Sequence, residues 1–287
     1  MGNDGRLTLQ PIATIENDFP TKFGVPRQSG IVDELRSRIV FLPEYRQAEA
    51  FRGLKDFSHL WLIWGFSEVK RKGWSATVRP PRLGGNQRMG VFATRSPFRP
   101  NPIGLSCVRL VEICGDAHSG ISLIVSGADL MNGTPIYDVK PYLPYADCKS
   151  DALGGFADAV RHDELTVIFP EELFHRVPEE KRDSLTAILK SDPRPHYQND
   201  SERVYGFFFA GLEVKFRVCE NRLTVCGVFP VTEEDSAYHP DCSHPQSCPE
   251  PPTMMLSASG KVLFTSNRWE PLGKIRLTVA RRVRKIL

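Results

Sequence analysis

Two short stretches carry the residues best suited to chemistry. The first, Gly90 to Gly104, holds Arg95 and Arg99 four residues apart, among Thr94, Ser96, Asn101 and the prolines Pro97, Pro100 and Pro102. Proline fixes φ and removes a backbone donor, so the three hold this segment extended and out of any helix. A guanidinium on such a stiffened support can bond two oxygens of a carboxylate or phosphate at once. A solvated Pro-rich hairpin loop is the competing reading of the same composition.

The second stretch, Asp129 to Tyr145, opens with the turn Asn132-Gly-Thr-Pro135 and then sets Asp138 and Lys140 on either side of Val139. On a strand, residues two apart share a face. Pro141 ends that strand, so an acid and a base are held together at its end, with Tyr142 and Tyr145 following. That is the composition of a ligand site. A surface ion pair at a turn is the alternative.

These residues need a frame, and the surrounding pattern is one of short strands. Leu7 to Ile15 and Arg38 to Leu42 read as strands, and Tyr45 to Leu54 as a short helix with Ala48, Phe51 and Leu54 on one face. His59 to Phe66 reads as a buried central strand from its aromatic and β-branched content. Met89 to Ala93 reads as a strand entering the Pro-rich loop, and Leu105 to Cys114 pairs with Gly120 to Ser126 as a hairpin. The fold class is mainly β, a small barrel or sandwich.

Glu171 to Leu189 is the clearest helix, with Val177-Pro178 and the acids Glu179 and Glu180 marking an internal start. Val204 to Phe209, Leu212 to Val218 and Arg222 to Val228 follow as paired strands of a small α+β appendage. From Pro230 the composition turns to acids, His, Cys and Pro, so Thr232 to Thr253 reads as a linker or surface loop. The expected domains are therefore 1–170, a barrel; 171–229, a small α+β domain; and 230–287, a linker and basic C-terminal extension.

At 287 residues the chain suits one large domain, or a main domain with a smaller one, at roughly 100–200 residues per domain. The net charge is +3, but Lys and Arg crowd Lys70 to Arg99 and recur from Lys274 to Lys285. An uneven basic surface fits a polyanionic partner. Met1 to Arg6 has no apolar core of the signal-peptide kind, and no run approaches the roughly 18 apolar residues of a membrane span. Seven scattered cysteines argue for reduced thiols inside a cell, hence a cytoplasmic protein without a membrane. His239, Cys242, His244 and Cys248 do not match the spacing of a common zinc finger, so no metal is expected.

Five runs, in this order, closely resemble the TsaA-like (TrmO) family: Phe57-Ser-His-Leu-Trp61, Arg79-Pro-Pro-Arg-Leu-Gly-Gly-Asn86, Gly90 to Gly104, Asn132-Gly-Thr-Pro135 and Asp138-Val-Lys-Pro-Tyr142. Asp192-Pro-Arg-Pro195, Tyr205-Gly206 and Val214 to Val218 look like the C-terminal part of the bacterial form. The resemblance spans about residues 7–228. It implies a β-barrel, non-Rossmann methyltransferase that binds S-adenosylmethionine at a homodimer interface. The family methylates N6 of threonylcarbamoyladenosine at position 37, beside the anticodon, so tRNA through its anticodon stem-loop is the implied partner. The chain indeed lacks a G-x-G-x-x-G fingerprint.

Carried over by motif, the implied cofactor contacts are Pro26, Arg27, Gln28, Ser67, Glu68, Arg95, Leu105, Ser126, Gly127, Ala128 and Asp129. Arg95 suits the methionine carboxylate, and Asp129 the amino group or ribose. Ser67 and Glu68 depart from the polar pair of bacterial relatives, and Asn132 stands where the family usually has Asp. Methyl transfer from a sulfonium is largely positioning, but a carbamoylated N6 is a poor nucleophile. Asp138 is the candidate base, Lys140 the charge-stabilising partner, and Tyr142 and Tyr145 the stacking residues. Lys70, Arg71, Lys72, Arg79, Arg82, Arg88, Arg194 and Arg217 are expected to contact tRNA phosphates. A non-catalytic S-adenosylmethionine- or RNA-binding barrel, and a methyltransferase for another nucleoside, are the alternatives.

Overall fold

In a computed structural model, the described residues are 7–69, 73–80, 83, 87–115, 120–158, 164–194 and 200–231, with two short strands beyond them. Residues 1–236 form one compact unit and 237–287 another.

Six strands of the first unit close into an antiparallel barrel: β1 (Ala13–Glu16), β2 (Arg36–Phe41), β3 (His59–Gly65), β6 (Ile103–Cys114), β7 (Ser122–Ser126) and β8 (Pro135–Pro141), in the order β1-β2-β7-β6-β3-β8. The period-two pattern sends Ile15, Ile39, Leu60, Leu62, Leu123 and Ile136 into a core with no exposed surface. Register is pinned by this alternation, because a one-residue slip turns every apolar side chain outward. Leu62 sits opposite both Ser106 and Val139, and Trp64 opposite Gly104. Gly104 must be glycine here: a Cβ would stand 2.2 Å from the Trp64 ring.

Outside the barrel, β9 (Thr166–Ile168), β10 (Tyr205–Phe209), β11 (Leu212–Cys219) and β12 (Arg222–Pro230) form a sheet in the order β10-β11-β12-β9, its last pair parallel. After the single turn α1 (Pro144–Asp147), two helices, α2 (Glu171–Phe174) and α3 (Glu179–Lys190), are separated at Val177-Pro178 as the sequence predicts. Leu185, Ile188 and Leu189 of α3 are fully buried with Phe207, Val214 and Phe216 in a second core.

Phe19, Val32 and Leu35, from the segment between β1 and β2, belong to that second core rather than to the barrel. Phe19 packs on Phe209 with ring centroids 5.3 Å apart. Gly24, at φ +83°, lets the segment lie against Phe207, where a Cβ would come within 2.3 Å of the ring. The segment therefore leaves the barrel, anchors on the α+β sheet, and returns past residues 26–30 to β2.

Several sequence expectations change in detail. His59–Gly65 is buried on alternate residues, as in a barrel strand, not on both faces. Tyr45 to Leu54 is no continuous helix but part of three 3₁₀ turns, Pro43–Tyr45, Ala48–Phe51 and Leu54–Asp56. Arg52 is extended and Gly53 left-handed at φ +84°, which separates the second turn from the third. The expected strand over Met89 to Ala93 is only β5 (Met89–Gly90), paired with β4 (Thr77–Val78), and then a 3₁₀ turn, Val91–Ala93. There the Val91 carbonyl accepts from Thr94 and Arg99 instead of a strand partner. Leu7 to Ile15 yields a strand only from Ala13.

In the second unit, Met255–Leu256 pairs antiparallel with Val262–Leu263. The expectations for Thr232 to Thr253, the His239 to Cys248 group and the basic recurrence from Lys274 to Lys285 lie outside the described residues. So do those for Lys70, Arg71, Lys72 and Arg82. No described helix is long and apolar enough to cross a membrane.

Candidate active site

The chemistry gathers where β7 ends. Ser126 closes that strand and is followed by Gly127, at φ +76°, then Ala128, Asp129 and Leu130. Ala128 and Leu130 are sunk in the barrel core, which fixes the course of the turn that carries Asp129. The Gly127 carbonyl accepts from Gly30 at 2.9 Å and its amide donates to Leu35 at 3.1 Å, so the 26–30 loop closes over this turn. A Cβ on Gly127 would press within 3.2 Å of the Gly30 backbone. The Ser126 hydroxyl, 1% exposed, has no hydrogen-bond partner among the described residues.

Asp129 is tied inward. Its Oδ1 accepts from the Ser106 hydroxyl at 2.5 Å, and that hydroxyl accepts from the buried Trp64 indole at 2.9 Å. Burial pushes the Asp129 carboxyl up from its ordinary value; the Ser106 bond, backbone amides including that of Ser29, and the Arg95 charge offset part of the effect. Arg95 itself donates to Gln28 Oε1, and Gln28 Nε2 donates to the Arg27 carbonyl at 2.5 Å. Gln28, Arg95, Ser126 and Asp129 thus converge.

Leu105 joins them through its backbone. Residues 103–108 of β6 run past the last pair with β7, Arg109 opposite Ser126. The Cys107 amide, on the side β7 leaves open, donates to the Ser29 hydroxyl at 3.1 Å. By antiparallel alternation the Leu105 amide and carbonyl face the same open side, next to the Ser126–Asp129 turn. The Leu105 side chain is outside the barrel and 56% exposed. Ser67 and Glu68 form an exposed turn after β3, where the Phe66 amide meets the Pro102 carbonyl.

The other expected residues form a separate feature. Asp138 and Lys140 do share a face of β8: their side chains pair at 2.8 Å while 44% and 60% exposed. Asp138 Oδ1 also accepts from the Val139 amide. Among the described residues, no hydrogen bond or ion pair links this couple to Asp129 or Arg95. Tyr142 packs beside Trp61 and His59, with centroids 5.8 and 6.1 Å away, and the Trp61 indole donates to Asp147 at 2.9 Å. Tyr145 is 85% exposed.

Three arginines have jobs that the sequence does not reveal. Arg99, expected beside Arg95 as a ligand cation, donates to the Val91 and Thr94 carbonyls and braces its own loop. Arg194, expected on phosphate, makes a two-toothed pair with Asp192, both bonds 2.9 Å. Burial raises the Asp192 carboxyl, but Arg194 outweighs this and holds it below its ordinary value. Arg27 donates to the Asp192 and Arg194 carbonyls at 2.9 and 2.6 Å, so it anchors the 26–30 loop to the α+β part. Asn132 Oδ1 accepts from the Asn17 amide at 3.0 Å, an acceptor role that a carboxylate would fill equally.

Sequence reasoning missed Ser106, Trp64 and Ser29. Ser106 had a signal: a polar residue at an inward position of an apolar strand demands a partner.

Two family models cover this architecture. The tRNA-methyltransferase O N-terminal domain matches residues 14–148, and the TrmO C-terminal domain matches 162–231. A relative from Escherichia coli K12, named tRNA (adenine(37)-N6)-methyltransferase, is 41% identical over 230 residues, covering 77% of this chain and 97% of its own. The chain belongs to the TrmO family. Another relative, from Pseudomonas aeruginosa, is 39% identical over 214 residues, covering 72% and 90%, and is named for S-adenosylmethionine-dependent methyl transfer. The crystal structure of TrmO from Pseudomonas aeruginosa overlays with a TM-score of 0.62 at 32% identity, across 78% of this chain and 98% of that one. The barrel and the α+β sheet are therefore TrmO elements; the TrmO models stop at residue 231.

Proposed function

We propose that this chain, a tRNA adenine-N6 methyltransferase by its family, takes its methyl group from S-adenosylmethionine and acts on threonylcarbamoyladenosine at position 37, in the cytoplasm and as a homodimer. The observation that carries the cofactor reading is the Ser126–Asp129 turn. It joins a buried hydroxyl without a partner, a carboxylate facing an arginine, and the open backbone edge of Leu105. These groups fit an amino-acid nucleoside, zwitterionic at one end and rich in donors and acceptors at the other.

S-adenosylmethionine supplies a sulfonium-bound methyl group. Arg95, held by Gln28, binds the carboxylate, and Pro26 and Arg27 keep that loop in place. Asp129 accepts from the amino group or a ribose hydroxyl, while Ser126, Gly127, Ala128 and Leu105 meet the adenine, and Ser67 and Glu68 border the opening. Asp138 would take the N6 proton as N6 gains the methyl carbon and the carbon–sulfur bond breaks to leave a neutral thioether, and Lys140 would steady negative charge on the threonylcarbamoyl group. Tyr142 stacks on the nucleobase. We assign the barrel to 1–170, the α+β part to 171–229, and leave 230–287 outside the catalytic unit. Incubation of the full chain with S-adenosylmethionine and bulk tRNA, followed by nucleoside mass analysis, tests this: a methylated threonylcarbamoyladenosine is expected.

A further inference from the structure

Trp74 and Phe92 stand apart from every contact described above. They are 53% and 72% exposed, and their rings stack at 6.4 Å with an interplanar angle of 22°. Exposed aromatic side chains normally turn one face inward; these two cover each other on the surface instead. The pair is also rigidly mounted. Val91, next to Phe92, donates to the Ala76 carbonyl at 3.0 Å, and Ser75, next to Trp74, donates to the Phe98 carbonyl at 3.2 Å. The Arg99 guanidinium lies 5.7 Å from the Phe92 centroid while fixed to the Val91 and Thr94 carbonyls.

We propose that Trp74 and Phe92 form a stacking platform for an unpaired nucleobase of the RNA next to the methyl acceptor. This rests on the tRNA reading given above and adds a base-binding subsite to it. Charge decides for RNA over a protein surface. Between Glu68 and Glu112 the sequence holds nine Lys or Arg and no Asp or Glu, and both platform residues fall within that stretch. Arg88, exposed and fixed to Thr77 on β4 at 2.6 and 2.8 Å, lies on the neighbouring hairpin. Arg95, three residues beyond Phe92 on the same loop, is the arginine proposed to hold the cofactor, so the platform is carried by the segment that also supplies the cofactor site. Stacked aromatics with a cation over one face and arginines around them accept any base, because every base has a π-face.

The test uses the full chain and an anticodon stem-loop RNA, read by fluorescence anisotropy. Phe92→Ala and Trp74→Ala should each weaken RNA binding roughly 5- to 150-fold, the range for losing one base stack. Phe92→Tyr should restore it, and the dependence on salt should keep its slope, since no phosphate contact is removed. An abasic nucleotide beside the acceptor adenine should erase the difference between wild type and variant. Unchanged RNA affinity in both alanine variants overturns the platform. So does a weakened variant whose sedimentation shows a smaller particle, because the aromatics would then seal two copies together. Failure of the wild type itself to bind the stem-loop would instead overturn the tRNA reading on which the platform rests.

Discussion

The Ser106 hydroxyl donates to Asp129 at 2.5 Å from inside the barrel, and the Trp64 indole donates to Ser106 in turn. Asp129 is thereby aimed by the packed core, not by the loop on which it stands. Ser106→Ala removes a hydrogen bond to an ionised group, worth about 1.5–3 kcal/mol, and leaves the buried Trp64 N–H without its acceptor. The variant should melt earlier and bind S-adenosylmethionine about tenfold or more weakly, measured by calorimetry. Ser106→Thr, which keeps the hydroxyl, should recover much of the affinity.

Asp129 should trade stability for binding. Its folded pKa lies above the unfolded one because burial penalises the charge. Such a group adds stability below the unfolded pKa and loses that contribution as pH rises through the folded pKa. At neutral pH the ionised carboxylate is therefore a cost. Asp129→Asn should melt higher than wild type at pH 7, with the gap closing below about pH 4, where carboxylates protonate. Its cofactor affinity should fall even so.

Variants of Arg95 and Gln28 should separate contact from positioning. Arg95→Lys keeps the charge but loses the fork, and should raise the cofactor Kd about tenfold or more. Gln28→Ala only frees the guanidinium, so a smaller rise is expected, with no change in the pH profile of turnover.

The Asp138–Lys140 pair is exposed, so breaking it should change stability by less than about 1 kcal/mol. With Asp138 as the proposed proton acceptor, Asp138→Asn should lose about 100-fold or more in turnover while binding cofactor normally. Full turnover in that variant would reduce the couple to a surface ion pair.

Much of the frame was legible because barrel strands repeat every two residues. The β6–β7 hairpin, the Pro178 break before α3 and the β10–β11 turn all stand where local pattern puts them. Elements without periodicity were not legible. The Tyr45 to Leu54 run has a helical face, yet left-handed Gly53 cuts it into turns. In the site, Arg95 and Arg99 look alike in sequence, but only Arg95 reaches Gln28, while Arg99 is spent on its own loop. Ser106 and Asp129 are 23 residues apart, and Trp64 and Ser106 are 42 apart. Such partnerships depend on strand order, which no local spacing encodes.

The most direct measurement is methyl transfer from labelled S-adenosylmethionine to two tRNA pools, one normal and one lacking threonylcarbamoylation, with the label located by nucleoside mass analysis. Label confined to threonylcarbamoyladenosine in the normal pool is the predicted result. Equal label in both pools, or none in either, would contradict the account.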